Sequence, residues 1–159
     1  MPRIELVTDI AAPIEQVFDF ARSIDVHQES QTRHREKAVA GRTFGLVEAG
    51  DTVTWEATHF GVRQRLSSRI DAMTMPVHFR DSMISGAFAR FVHDHHFEEI
   101  AGGTRMTDVF DYTSPLGLLG RLADVLFLER YMRRLLEERN EVIRRLAEAA
   151  GSAEPVQTG

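Results

Sequence analysis

The residues best suited to chemistry are two aspartates and two histidines, Asp81, His93, His95 and Asp108, each set among alternating apolar side chains. In Phe91-Val92-His93-Asp94-His95-His96-Phe97, the residues Phe91, His93, His95 and Phe97 share one side of an extended strand. Asp81 has the parity of Val77, Phe79 and Met83, and Asp108 that of Met106, Phe110 and Tyr112. The apolar parity of a half-buried sheet faces the interior, so all four polar groups are expected to point inward. An ionised carboxylate there is costly unless it is paired. Imidazole satisfies it, and the carboxylate in return is expected to raise the histidine pKa into a range useful for acid–base work. Three uses stay open: a buried polar network, a ligand-recognition or general acid–base site, and a metal site, since two His and two Asp suffice for zinc or a similar ion. Alternating strand spacing is no metal motif by itself, so no cofactor is expected.

Positioning these groups requires strands, and turn residues delimit them. Thr52–His59, Val62–Met73, Val77–Ser85, Phe91–Ile100 and Arg105–Thr113 read as consecutive antiparallel strands. Phe60-Gly61 and Gly102-Gly103 read as two-residue turns. A Gly102-Gly103 turn puts Phe97 opposite Asp108 and His95 opposite Phe110. Asp108 is then diagonal to His95, at about 7–8 Å between backbones. Asp81 falls opposite either His93 or His95, so the four groups cluster on one concave face. The inward parity of the third and fourth strands gives Val53, Trp55, Ala57, His59 and Val62, Gln64, Leu66, Ile70. His59 is read as a turn cap and His27 as a surface residue, while Asp94 and His96 take the outward, solvated parity.

Arg3–Ala11 reads as a first strand, Pro13 opens a short helix, and Ser23–Ser30 reads as a second one. After Ser114-Pro115 the period changes to that of a helix, from about Leu116 to Ala149, with the charges from Glu129 to Arg145 as a solvated face. The first half of this helix is apolar almost all round, which predicts protein on several sides. Residues 1–150 read as one domain and 151–159 as a disordered tail.

The 159 residues carry a net charge of −5, which argues against a nucleic-acid partner. There is no cysteine, which excludes disulfides and thiolate chemistry and fits a reducing compartment. No stretch reaches the ~20 apolar residues of a membrane span. A cytoplasmic protein with no stable membrane insertion is expected. The stretch Gly41–Gly50 lacks the lysine of a phosphate-binding loop, and no serine sits in a nucleophile elbow.

The motifs Ala12-Pro13-Ile14-Glu15-Gln16-Val17-Phe18, Trp55-Glu56-Ala57 with His59-Phe60-Gly61, Pro76 with Phe79 and Asp81, and Gly103-Thr104 leading to Asp108 and Ser114-Pro115-Leu116-Gly117 carry a resemblance. The chain resembles the START-like (SRPBCC) superfamily, specifically its bacterial polyketide cyclase/dehydrase-like branch. That resemblance implies an α+β helix-grip fold. A curved seven-stranded antiparallel sheet would wrap a long C-terminal helix, with two short helices after the first strand. It also implies a cavity for a small hydrophobic molecule such as a lipid, polyketide or aromatic. The expected ligand-binding set is Trp55, Phe79, Phe91, Phe97, Phe110, Tyr112, Leu119, Leu122 and Leu126, with Asp81, His93, His95 and Asp108 as polar anchor. A cyclase or dehydratase using an inward His/Asp pair is one alternative. A non-catalytic interaction or coenzyme-carrier protein is the other, and exposure of Leu118 and Phe127 would support it.

Overall fold

The structure, a computed structural model, describes residues 2–115 and 117–152. Strand β1 (Arg3–Ile10) leads into helices α1 (Ile14–Ala21) and α2 (Ile24–Ser30). Strands β2 (Lys37–Gly41), β3 (Thr52–His59), β4 (Val62–Thr74), β5 (His78–Ser85), β6 (Arg90–Ile100) and β7 (Gly103–Thr113) follow. Helix α3 (Gly117–Ala123), a π-helical turn (Asp124–Leu128) and helix α4 (Glu129–Ser152) complete it. The strands form one seven-stranded sheet in the order β1-β7-β6-β5-β4-β3-β2, antiparallel throughout.

Consecutive hairpins produce this order. At the β3–β4 turn both Phe60 (φ 52°) and Gly61 (φ 74°) are left-handed, the twist that suits a two-residue hairpin. The β6–β7 turn differs from expectation: it is Ala101-Gly102, because Ile100 already pairs with Gly103. Gly103 belongs to β7, where a Cβ would stand 2.1 Å from the Ile10 carbonyl oxygen and 3.0 Å from Ala11 Cα. Only bare backbone fits beneath the end of β1. The register therefore slips by two residues, which keeps every side chain on its face but makes His95, not Phe97, the partner of Asp108, and makes His93 the partner of Phe110. Gly103→Ala must push backbone aside and is expected to cost about 1–3 kcal/mol, read from the urea midpoint. An unchanged midpoint would mean that the β1 end yields freely.

The core lies where α1 and α4 meet the concave sheet. The Phe18 ring stands edge-on to Phe79 and Phe97, with centroids at 5.6 and 5.2 Å, and Ile143 and Ala147 of α4 pack into the same cluster. A second cluster joins Tyr112 to Ile4, Phe91, Phe110 and Leu136.

The C-terminal helix departs most from expectation. Helix α3 packs chiefly on the π-helical turn and not on the sheet. Leu118, Leu119, Leu122, Leu126 and Phe127 are exposed rather than covered, Leu118 to 79%. Leu116 and residues 153–159 lie outside the described residues, and α4 runs past Ala149 to Ser152.

Candidate functional site

A cavity of about 370 Å³ opens between the concave face of the sheet and α4. Trp55, Phe79, Phe91 and Phe110 line it from the sheet, and Leu128, Met132 and Leu136 from the C-terminal segment. One end carries the polar group anticipated from parity. Asp81 pairs directly across with His93, and His95 with Asp108. His93 Nε2 hydrogen-bonds Asp108 Oδ1 at 2.9 Å, and His95 Nε2 bonds Asp81 Oδ1 at 2.9 Å. His95 Nδ1 stands 3.1 Å from Asp108 Oδ1 and 3.3 Å from Arg139 Nη2. The His93 and His95 rings lie 3.8 Å apart, and Phe79 stacks on His95 at 4.0 Å.

Asp81, His93 and His95 line the cavity, whereas Asp108 sits beneath it with 0% exposure. Asp108 is fixed from α4 by Arg139, one of the charges expected on a solvated face, and by Asn140. Arg139 Nη1 donates to Oδ1 at 3.3 Å and Asn140 Nδ2 to Oδ2 at 2.7 Å. Arg139 also donates to the Ala21 carbonyl at 3.2 Å, tying α4 to the end of α1. The signal for both was present. Arg139 and Asn140 sit three and four residues after Leu136, and four and three before Ile143, on the buried stripe of α4.

Among the expected ligand contacts, Trp55, Phe79, Phe91 and Phe110 line the cavity. Phe97 and Tyr112 instead fill the core clusters beneath it. Leu119, Leu122 and Leu126 stand 69%, 56% and 60% exposed and take no part in the lining, because α3 does not pack on the sheet.

The opposite end is a ring of imidazole and phenol groups. His27 bonds Glu36 Oε1 at 2.7 Å and stacks on Trp55 at 4.3 Å, and His59 Nδ1 meets Tyr131 Oη at 2.6 Å. Both histidines line the cavity, correcting their reading as a surface residue and a turn cap. The buried Gln31 donates Nε2 to the Leu135 carbonyl at 3.1 Å, which leaves Oε1 without a partner among the described residues. It is an acceptor waiting at the cavity wall.

Burial opposes charge on Asp108, but hydrogen bonds from His93 and His95 and the Arg139 charge outweigh it and hold the carboxyl well below the carboxylate range. Asp81 is lowered too: burial again opposes, and the His95 hydrogen bond with the neighbouring positive groups prevails. Burial lowers His93 below its ordinary 6.5, helped by His95, and the Asp108 hydrogen bond does not reverse this. The carboxylate-driven rise anticipated from sequence is therefore overturned at His93, because desolvation is the larger effect. Since His93 resists protonation only when folded, the unfolded chain binds the extra proton as pH falls below 6.5, and stability must fall with it. The expected slope is at most about 1.4 kcal/mol per pH unit for this one group. Urea titrations between pH 7 and 5 should show a flatter profile for His93→Gln, and an unchanged slope would refute the assignment.

The donor atoms of Asp81, His93 and His95 lie within 4.8 Å of one another, close enough to suggest a metal. The buried guanidinium of Arg139 beside His95 already supplies positive charge there, so a hydrogen-bonded anchor describes the arrangement better.

Sheet, gripped helix and an apolar-walled cavity with polar groups at both ends define a helix-grip fold of the ligand-binding type. Residues 1–148 match the family of polyketide cyclases/dehydrases and lipid-transport proteins, and the chain belongs to it. Similar solved structures include TTHA0849 from Thermus thermophilus, at TM-score 0.76 and 20% identity, covering 94% of this chain and 99% of that one. CV1439 from Chromobacterium violaceum follows at 0.73 and 11%, covering 93% and 99%. The major latex-like protein 151 of Panax ginseng is similar at 0.65 and 15%, covering 92% and 97%. At these identities the likeness establishes the fold alone. A search of curated proteins by sequence returns no match.

Proposed function

We propose that the chain binds a small, mostly apolar molecule in this cavity and anchors an oxygen of it on Asp81, His93 and His95. The observation that carries the reading is the 370 Å³ cavity, whose apolar walls converge on a few polar groups, the usual make-up of a small-molecule site. The family description, which spans cyclases and lipid transport, supports an apolar ligand. Native mass spectrometry of gently purified protein is expected to show a copurifying molecule. Asp81→Asn should weaken its rebinding about 10–100-fold, the loss of one hydrogen bond to a charged group. A chain that is empty and that also fails to take up an apolar dye would defeat the reading.

The buried pair His93–Asp108 favours a second reading, a cyclase or dehydratase. His93 is held neutral, Asp108 orients it through Nε2, and Arg139 and Asn140 fix Asp108 in turn, which is the arrangement of an oriented general base. On that reading His93→Gln abolishes turnover with affinity nearly intact, whereas a loss of stability alone returns the pair to a structural role.

The carrier alternative draws support from the exposed Leu118 and Phe127. Phe127 meets Phe60 at 6.1 Å, and Phe60 meets Tyr131 of the cavity mouth at 4.6 Å, so the apolar edge adjoins the entrance. Phe127→Asp should then abolish flotation with liposomes, and a wild-type chain that never floats would count against it.

A further inference from the structure

We propose that the outer face of the sheet carries a second site, remote from the cavity, for one divalent ion of the zinc, nickel or copper class, held by His78, Asp94 and His96. His78 and His96 are directly opposite one another on β5 and β6, and Asp94 lies two residues along β6 on the same face. Sheet register, not a loop, sets their spacing. The two rings stack at 4.8 Å, His78 Nε2 meets Asp94 Oδ1 at 2.7 Å, and one donor atom from each residue lies within 4.8 Å of the others. Tetrahedral zinc with bonds of about 2.0–2.1 Å needs donors about 3.3 Å apart, a closure that side-chain rotation alone can supply.

The donor set is prepared for a cation. Among the described residues the His96 ring stacks on His78 and makes no side-chain hydrogen bond, which leaves its nitrogens open to a metal. Burial opposes charge on Asp94, but hydrogen bonds from Arg80 and His78 keep it ionised. Arg80 donates Nε to Oδ1 at 2.7 Å and Nη2 to Oδ2 at 3.0 Å. Its side chain is 47% exposed, so Nε can retreat into water while Nη2 still orients the ligating carboxylate. This separates the outer site from the cavity cluster, where the buried Arg139 cannot withdraw. On binding, the metal takes the place of the hydrogen bond between His78 and Asp94, and any proton on the ligating imidazole nitrogens passes to water, so uptake weakens in acid.

The ion class follows from the donors. Two of the three donors are imidazoles, whereas hard cations such as calcium and magnesium are held by oxygen ligands. Imidazole suits zinc, nickel and copper.

The test is a zinc titration of tag-free, full-length protein against a chromophoric chelator, with imidazole NMR of the bound form. One zinc per chain is expected, with shifts at His78 and His96 but not at His93 and His95. At least about tenfold weaker uptake is expected in His78→Gln and in His96→Gln, both folded by circular dichroism. No uptake by the wild type, uptake unaltered in both variants, or shifts confined to His93 and His95 would each overturn the proposal. The dye and copurification measurements decide ligand binding in the cavity separately.

Discussion

Asp108→Ala is expected to lower folding stability by about 3–5 kcal/mol, the cost of leaving a buried charge without its partner. The carboxylate receives His93, Arg139 and Asn140 at 2.9, 3.3 and 2.7 Å and is fully buried. Without it, Arg139 is left among the described residues with Asn140 Oδ1, the Ala21 carbonyl and His95 Nδ1, none of them a carboxylate. Domains of this size are stable by about 5–15 kcal/mol, so the variant is expected to approach unfolding in mild urea. Asp108→Asn preserves shape but not charge, and the stranded guanidinium should still dominate the loss. Adding Arg139→Met to Asp108→Asn removes that cation and should recover part of it, with a coupling of about 0.5–3 kcal/mol in the double-mutant cycle. Additive losses, or a loss below about 1 kcal/mol for Asp108→Ala, would mean that water solvates the site after all.

The same carboxylate shows what could be read from sequence. Period-two alternation identified the inward faces of β3 to β7, because one buried sheet face permits only one parity. It therefore brought Asp81, His93, His95 and Asp108 together although the β6–β7 register was two residues off. Such a slip moves partners along the strand but never through the sheet. The turn itself was misread because Gly102-Gly103 offers two glycines for one left-handed position. The second is needed instead for the close approach of Ile10, a long-range contact with no local signature. Arg139 escaped notice because its type outweighed its position: a cation among many charged neighbours reads as solvated unless the helical phase is followed through Leu136 and Ile143. The exposure of Leu119, Leu122 and Leu126 had no such cue. A run of leucines gives no sign that the helical segment carrying it stands off the sheet instead of packing on it.

Ser68→Phe is expected to reduce binding in the cavity by at least about tenfold with little loss of stability, because it fills space that no side chain now occupies. Ser68 is buried, faces Val53 and Met83 across its strand, and lines the cavity at mid-sheet, so a phenyl ring there projects into the 370 Å³ volume. Ordinary core positions respond to such an enlargement with a destabilisation of about 1–3 kcal/mol. A true cavity should instead absorb the ring near neutrality, or even gain stability from the apolar area it buries. The two readouts thus separate an empty binding site from a loosely drawn core. The apolar dye anilinonaphthalene sulfonate measures occupancy and the urea midpoint measures packing. Ala57→Phe, on the neighbouring strand and also lining the cavity, should behave alike. If both variants bind dye as the wild type does, the dye site lies elsewhere, and the exposed edge from Leu118 to Phe127 becomes its most direct location. If both unfold without binding being tested, dye displacement by the copurified molecule in the wild type still reports whether the two compete for one cavity. Occupancy that resists displacement would place the ligand outside the hollow between sheet and helix.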